Sequence, residues 1–558
     1  MTRIHQYVAD AFVAEGVDTV FGLMGDGNMA WLAEMAGRPG VRVVHARHEA
    51  AALAMADGWA QAAGEVGVCS VTCGPGVTNL VTPLRVAAHN RTPVVVLAGD
   101  TPVGTAVHYQ SFDIGSLRAL ADVDVVAVRS HGDLTAKLRA AFGTARRSRR
   151  PVVLALPYDL ADERCDLPVY VPPVRPAGPA PARARDVEAV RSRLAAAGRV
   201  LLLLGRGAVA GGALGSAERL ADHLGALTGT TVKALGALHH RAGDLGVVGG
   251  FSSPEARERI AGCDVVLALG AALSWHTTLG GALLAPERTV QVVDREDPWD
   301  PDDVFDPGLK VVADCRLFLE QLLEVLVPAD AAVTPGARRP APAALPRSPD
   351  LGDIEPADGL DPVAALATVR RALTDPVQLV VGAGHFWNHV VEMPEPPAPH
   401  RLQVHNGFGA IAQAFPAALG AALAEPDVPT VVLEGDGSLM MNLQELETAA
   451  RSAIPLLVVV IDDGAYGAEY HKLVASGMRA AESVFGFADL AGVARALGLR
   501  ATTPSSLDEL AAAVATFLDD PAPTLVDVRV TRRARAGRYR STYPVDASQN
   551  RSPSSARH

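Results

Sequence analysis

Cysteine is scarce in this chain. Cys69, Cys73, Cys165, Cys263 and Cys315 are the five in 558 residues, and they are scattered. No CxxC pair occurs, and Cys69 and Cys73 have no second pair with which to complete a zinc site. An odd, scattered set argues against a disulfide framework and fits a reducing cytosol. Positive charge is also in deficit. Lys and Arg total 50 against 62 Asp and Glu, a formal net charge of −12, which argues against nucleic acid or an anionic membrane as partner. Long apolar runs are missing as well. The longest weakly polar stretch, 407–424, is mostly Gly and Ala around Gln413 and Pro416, and it reads as a buried helix rather than a membrane span. The opening MTRIHQYVADAF has no apolar core of a signal peptide. A cytoplasmic protein is expected.

What is present is an ordinary globular composition, 49% hydrophobic and 20% charged, long enough for about three or four domains of ~150 residues. Residues 1–167 alternate helical and strand patterns. Ile4, Val8 and Phe12 mark one helix face, and short apolar runs near 18–22, 41–44, 66–71 and 93–98 read as strands, giving a doubly wound α/β domain. A Pro/Ala linker, 168–185, leads to a second α/β domain, 186–327, with strands expected near 200–204, 265–269 and 289–293. A second Pro/Ala-rich linker, 328–360, precedes a third α/β domain, 361–530. The basic, Ser-rich tail 531–558 is expected to be disordered.

The third domain carries the most informative stretch. A strand at 430–433 runs into Gly435-Asp436-Gly437-Ser438. Leu439, Leu443, Leu446 and Ala450 then fall on one helical face, Pro455 stops the pattern, and a buried strand at 456–461 runs into Asp462-Asp463-Gly464. Strand, helix, strand is one βαβ unit, so both acidic turns lie at the same carboxyl edge of a parallel sheet. Two carboxylates, loop carbonyls and glycine N–H groups at a helix start suit Mg²⁺ and a phosphate-bearing ligand. A single Asp-Gly pair would be an ordinary turn; two bracketing one βαβ unit favour the ligand reading.

This stretch resembles the thiamine diphosphate (ThDP) motif of the acetolactate synthase, pyruvate decarboxylase and benzoylformate decarboxylase superfamily, and the chain as a whole is most similar to acetolactate synthase-like large subunits. The resemblance implies three doubly wound parallel-sheet α/β domains: an N-terminal pyrimidine-binding domain, a Rossmann-like middle domain and a C-terminal diphosphate-binding domain. It implies ThDP and Mg²⁺ as cofactors, with the metal held by Asp436, Asp463 and the carbonyl of Ala465. Gly435, Gly437, Ser438, Tyr466 and Gly467 belong to the same motif. The chain departs from the family in carrying Asp462-Asp463 where Asn-Asn is usual. A carboxylate remains a competent hard ligand.

Other segments carry the resemblance further. Arg47-His48-Glu49, followed by a small-residue helix, is similar to the family's RHE motif, which assigns Glu49 to the cofactor's aminopyrimidine. Read without the family, it is a helix N-terminus with a favourable acid. Gly74-Pro75-Gly76-Val77-Thr78-Asn79 resembles the family's GPGATN turn and implicates Gly76 and Asn79. Gly409-Ala410-Ile411 resembles the segment that props the cofactor into its bent form, with Ile411 as the prop, and Gly384-His385 matches the diphosphate loop. Three candidates for the substrate pocket follow. Asp26 sits in a pattern like that of the pyruvate decarboxylases, Tyr109-Gln110 stands nearer the carboligases, and Glu469 has the offset of the decarboxylases' pocket Glu. Gly205-Arg206-Gly207 after a strand is a lone GxG and does not support FAD.

The implied activity is decarboxylation of a 2-oxo acid and transfer of the resulting enamine to an acceptor. The alternatives are a decarboxylase releasing an aldehyde and a catalytically silent binding or regulatory homologue. Glu49 and Asp436 lie in different domains, and in this family the site is shared between chains, so a homo-oligomer, dimeric or tetrameric, is expected.

Overall fold

The computed structural model describes residues 2–103, 108–175, 178, 180–296, 305–326, 359–373, 376–393 and 402–542. Three six-stranded, all-parallel sheets form its frame. The first is built from strands between Thr19–Gly22 and Val152–Pro157, the second from Val200–Leu204 to Leu309–Val312, and the third from Gln378–Val381 to Thr524–Arg529. Their central strands are largely apolar runs such as Val200–Leu204 and Leu456–Asp462, buried along their whole length, as parallel strands covered by helices on both faces must be.

With the strands of each sheet numbered in chain order, the first and third sheets both run 2-1-3-4-6-5, whereas the middle sheet runs 3-2-1-4-5-6. The first and third units therefore repeat one topology, and the middle one has the dinucleotide-fold order. In a 2-1-3-4-6-5 sheet the strand order reverses between strands 1 and 3. A crevice opens there at the carboxyl ends, which is where open α/β sheets bind ligands. In the third sheet those strands are Gln378–Val381 and Thr430–Gly435; in the first they are Thr19–Gly22 and Gly67–Val71. The candidates at 384–385 and 435–438, and at 26 and 76–79, all follow these four strands.

The first and third units share one hydrophobic core. The helix Glu49–Ala63 lies face to face on the helix Ala414–Ala424, and Leu53, Met55 and Trp59 pack into a cluster with Phe415, Leu419 and Ala422. The approach is close because Gly58 and Gly420 face main chain. A Cβ on Gly58 would stand 2.0 Å from the Ala417 oxygen, and one on Gly420 1.9 Å from the Met55 oxygen. The middle unit has its own core. Arg206, in its lone GxG turn, sends its guanidinium into the first unit, to Gln61 Oε1 at 3.0 Å and the Asn90 carbonyl at 2.5 Å.

Three expectations are corrected. The single helix expected from Leu439 to Ala450 is two, Asp436–Met440 and Glu445–Arg451. Between them Asn442 turns its carboxamide to the Ala412 carbonyl. The stretch 407–424 is α-helical only from Ala414, after a 3-10 turn at Gly407–Gly409; Phe408 and Ala412 have positive φ (60° and 66°). The tail does not begin disordered at 531. Residues 531–536 are ordered against the third unit, and a helix follows, Gly537–Thr542, whose first two N–H groups are accepted by Glu392. The rest of the tail, 543–558, and nearly all of the linker 328–360 lie outside the described residues. No helix among the described residues is long and apolar enough to cross a membrane.

Candidate functional site

Parallel register builds the acidic edge. Strands Thr430–Gly435 and Leu456–Asp462 pair with Gly435 opposite Ile461, so Asp436 and Asp462 follow side by side. Successive side chains point to opposite faces. Asp462 turns inward toward Asp436 and Asp527, and it accepts the Gly464 N–H at 2.9 Å. Asp463 turns to a cavity of about 250 Å³ that Asp436 also lines. Asp463 Oδ1 accepts the Ala465 N–H at 3.1 Å. Gly467 must be glycine, since a Cβ there would stand 2.3 Å from Asp463 Oδ2.

Carboxylates crowd this edge. Burial, then the neighbouring Asp462 and Asp463, push the Asp436 carboxyl far above the usual range. Burial pushes Asp463 up to about 6. Asp462 Oδ2 is buried with no donor facing it. A cluster of desolvated carboxylates is relieved by a hard divalent ion. Among the described residues no three His, Cys, Asp or Glu side chains form a metal site. The ion would therefore rest on Asp436, Asp463, the Ala465 carbonyl and oxygens of a ligand, the way Mg²⁺ is held on one or two carboxylates and phosphates. The residues present fit such an ion.

The same cavity is lined by Gly384, His385, Gly409, Ile411, Gly435, Gly437 and Ser438, and by Ala465, Tyr466, Gly467 and Glu469. Ser438 Oγ accepts the Ala412 N–H at 2.7 Å, pinning the Ile411 loop to the start of the Asp436–Met440 helix. The positive φ of Phe408 and Ala412 shows that this loop is held in a costly conformation, as ligand-positioning loops often are. Glu469 is largely exposed at the rim, 3.5 Å from Lys472.

The first unit assembles a second group. Asn79 Nδ2 donates to Glu49 Oε2 at 2.9 Å, and a Cβ on Gly76 would lie 3.7 Å from Glu49 Oε1. Nearby, Tyr109 Oη donates to Asp26 Oδ2 at 3.3 Å, and the Cys73 thiol donates to Gln110 Oε1 at 3.1 Å. None of Glu49, Gly76, Asn79, Asp26 or Gln110 lines the third unit's cavity. The chain thus brings its candidates together in two clusters, not one.

Several residues escaped the sequence reading. Glu434 is wholly buried, and burial pushes it up to about 7; it accepts N–H groups from Phe415 and Gly435 at 3.3 Å and so ties the Ala414–Ala424 helix start to the acidic turn. Glu445 is wholly buried and accepts the Arg47 N–H at 3.0 Å, holding the turn before Glu49. His389, His471 and Tyr539 surround His385. Cys73 holds Gln110 through its thiol. A glutamate ending an otherwise apolar strand was the one signal that would have exposed Glu434. His276 is exposed, edge-on to Trp275 at 5.3 Å and outside the cavity.

Residues 2–117 match the N-terminal TPP binding domain of thiamine pyrophosphate enzymes, 187–322 the central domain and 381–528 the C-terminal TPP binding domain. An acetolactate synthase large subunit of Parasynechococcus marenigrum is 30% identical over 551 residues, covering 94% of this chain and 86% of that protein. The isozyme 3 large subunit of Escherichia coli acetolactate synthase is 28% identical, covering 88% of each. Among solved structures, a 4-hydroxybenzoylformate decarboxylase of Rhodococcus jostii shares the fold with a TM-score of 0.80 at 23% identity, over 95% of this chain and 99% of that one. Benzoylformate decarboxylase of Polynucleobacter necessarius gives 0.81 at 21% identity, over 96% and 100%. The chain belongs to the thiamine pyrophosphate-dependent enzyme family.

Proposed function

We propose that this enzyme uses ThDP and Mg²⁺ to decarboxylate a 2-oxo acid and join the remaining acyl unit to the carbonyl carbon of an acceptor aldehyde or ketone. The observation that carries the reading is the convergence of Asp436, Asp463, His385 and the glycine turns on one cavity at the strand-order reversal of the third sheet. Bound there, ThDP supplies the electron sink for loss of CO₂. Asp436 and Asp463 would hold the cation beside its diphosphate, His385 would donate to a phosphate oxygen, and Ile411 would pack against the cofactor. Glu49, oriented by Asn79, hydrogen-bonds the aminopyrimidine. Asp26, Gln110 and Glu469 meet the substrate. Gln110 has its carbonyl oxygen engaged by Cys73, so it offers its N–H₂ to a substrate oxygen.

The cavity, at about 250 Å³, falls below the roughly 300–1,000 Å³ usual for a small-molecule site, and its Glu49 partner cluster lies elsewhere in the chain. Both facts support a site completed by the first unit of a second copy. Exposed apolar side chains flank each half, Met24, Met29 and Tyr109 on one and Met440, Tyr466 and Phe485 on the other. Asp462-Asp463 does not remove the metal carboxylate, which supports an active enzyme over a silent one. The full-length likeness to acetolactate synthases supports carboligation. Glu469 on the cavity rim supports a second reading, protonation and release of an aldehyde.

The test is incubation with ThDP, Mg²⁺ and a panel of 2-oxo acids, with CO₂ and products read by mass spectrometry. Ligated hydroxy-ketone products are expected. Aldehyde alone would establish the second reading, and no CO₂ from any 2-oxo acid would overturn both.

A further inference from the structure

The cavity has a wall that the catalytic reading leaves unused. After the last strand of the third sheet the chain crosses its mouth, and Thr531, Ala534 and Tyr539 line it. Ala536, 1% exposed, donates its backbone N–H to His385 Nε2 at 3.2 Å. A backbone N–H can only donate, so Nε2 must be the lone-pair nitrogen and the single imidazole proton must sit on Nδ1. Burial, with His471, His389 and Arg535 close by, holds His385 well below its usual pKa and therefore neutral. No described group bonds Nδ1, and His385 lines the cavity.

We propose that residues 534–539 are a positioning element of the anion site: the Ala536 N–H fixes the His385 proton on Nδ1 and so presents it as a donor to a phosphate oxygen. This rests on the reading of the cavity as the diphosphate end of the cofactor site. The segment is anchored from three sides, as a positioning element must be. Glu392 accepts the N–H groups of Gly537 (2.8 Å) and Arg538 (2.9 Å). The Tyr539 ring stands edge-on to His385 at 4.9 Å. The Arg538 guanidinium lies 4.5 Å over Phe251 of the middle unit. A loose tail could not hold one tautomer; this one is tied to two units.

The experiment uses the full chain. Nitrogen-15 labelling of histidine, with His385 assigned by its loss in His385→Asn, reads the tautomer directly. Wild type is expected to show Nδ1 protonated and Nε2 bare. Ala536→Pro removes the N–H and should abolish that pattern. It should also weaken ThDP binding, measured calorimetrically with Mg²⁺, roughly tenfold or more, as for loss of a hydrogen bond to a charged group, while thiamine without its diphosphate is unaffected. If Ala536→Pro does not fold, two isosteres decide. His385→Asn places an amide nitrogen where Nδ1 stands and should hold ThDP affinity within about threefold, whereas His385→Gln reaches only toward Nε2 and should lose roughly tenfold. An Nε2-protonated His385 in wild type, undiminished ThDP binding by Ala536→Pro, or an equal or reversed order of the isosteres overturns the proposal. If wild type binds neither ThDP nor inorganic pyrophosphate, the cofactor reading itself falls, a result distinct from each of these.

Discussion

Gly58→Ala adds one methyl where the structure leaves no room. The new Cβ would stand 2.0 Å from the Ala417 oxygen, 2.6 Å from its carbonyl carbon and 2.7 Å from its Cα, whereas ordinary contact begins at 3.4 Å. All three obstacles are main chain, so no rotamer change relieves them. The helix Ala414–Ala424 cannot move aside cheaply either, because its own Gly420 is pressed against the Met55 oxygen. The helices must separate by more than 1 Å, a gap that forfeits a quarter to a half of the dispersion energy of each contact across it. Overpacking of this kind costs ~1–3 kcal/mol where side chains can yield. With rigid backbone on both sides about 3 kcal/mol is expected here, or roughly 6–12 °C for a cooperative unit of ~150–250 residues. Glu49 begins the displaced helix, so turnover should fall as well. The assay is urea denaturation followed by tryptophan fluorescence, with Trp59 buried on this helix as reporter. Gly215→Ala is the control: it lies in the helix Leu214–Leu224 with nothing within 4 Å of a new Cβ, and it should be neutral or stabilise by up to about 1 kcal/mol. A Gly58→Ala protein with the wild-type midpoint, or one that shifts the same way as Gly215→Ala, would refute the reasoning.

Asp436→Ala should abolish Mg²⁺-dependent ThDP binding, while Asp463→Asn, still an oxygen ligand, should retain it; calorimetry showing no binding by Asp463→Asn would remove Asp463 from the metal site. Inactive Glu49→Gln and inactive Asp436→Ala chains, mixed under conditions of subunit exchange, should regain activity, because one of the two shared sites collects neither defect; exchange without recovery would place each site within one chain. Gln110→Ala and Cys73→Ala should both lower turnover and shift the ratio of aldehyde to ligated product at unchanged ThDP affinity, and equal loss of cofactor binding would make both structural. Burial pushes His471 down to about 3. The folded state therefore disfavours its protonation, and stability present above pH 6.5 is lost as pH falls toward 3; relative to His471→Gln, wild type should lose about 2 kcal/mol between pH 6.5 and 5, and a pH-independent difference in urea midpoints would contradict it.

The frame was legible because its signals are local. The runs at 200–204, 265–269 and 289–293 read as strands from their density of Val and Leu, and the structure has strands with the same limits. The two acidic turns were placed at one sheet edge by connectivity alone. What escaped depends on contacts distant in sequence. The break at 441–444 comes from Asn442 reaching Ala412, 30 residues away. Residues 531–542 have too few apolar side chains to announce a fold, and they are ordered by Glu392 and His385, about 145–151 positions earlier. Glu434 was passed over because its partners are backbone N–H groups, one of them Phe415, 19 residues earlier, and a strand pattern does not report them. The separation of Glu49 from Asp436 was already legible in the family motifs, which fall in different domains.

The packing of the first unit on the third also sets a schedule. The helix Glu49–Ala63 leaves the ribosome some 350 residues before its partner Ala414–Ala424 begins, a wait of roughly 20–70 s at ~5–20 residues per second. During it Leu53, Met55 and Trp59 have no third-unit surface to cover them, and the Gly58 groove stands open. The first unit cannot finish its core in the order of synthesis, so the nascent chain carries an uncovered apolar helix face through translation of the whole middle unit. Residues 1–175 made alone should be insoluble or held by chaperones, and co-expression with 359–558 should rescue them.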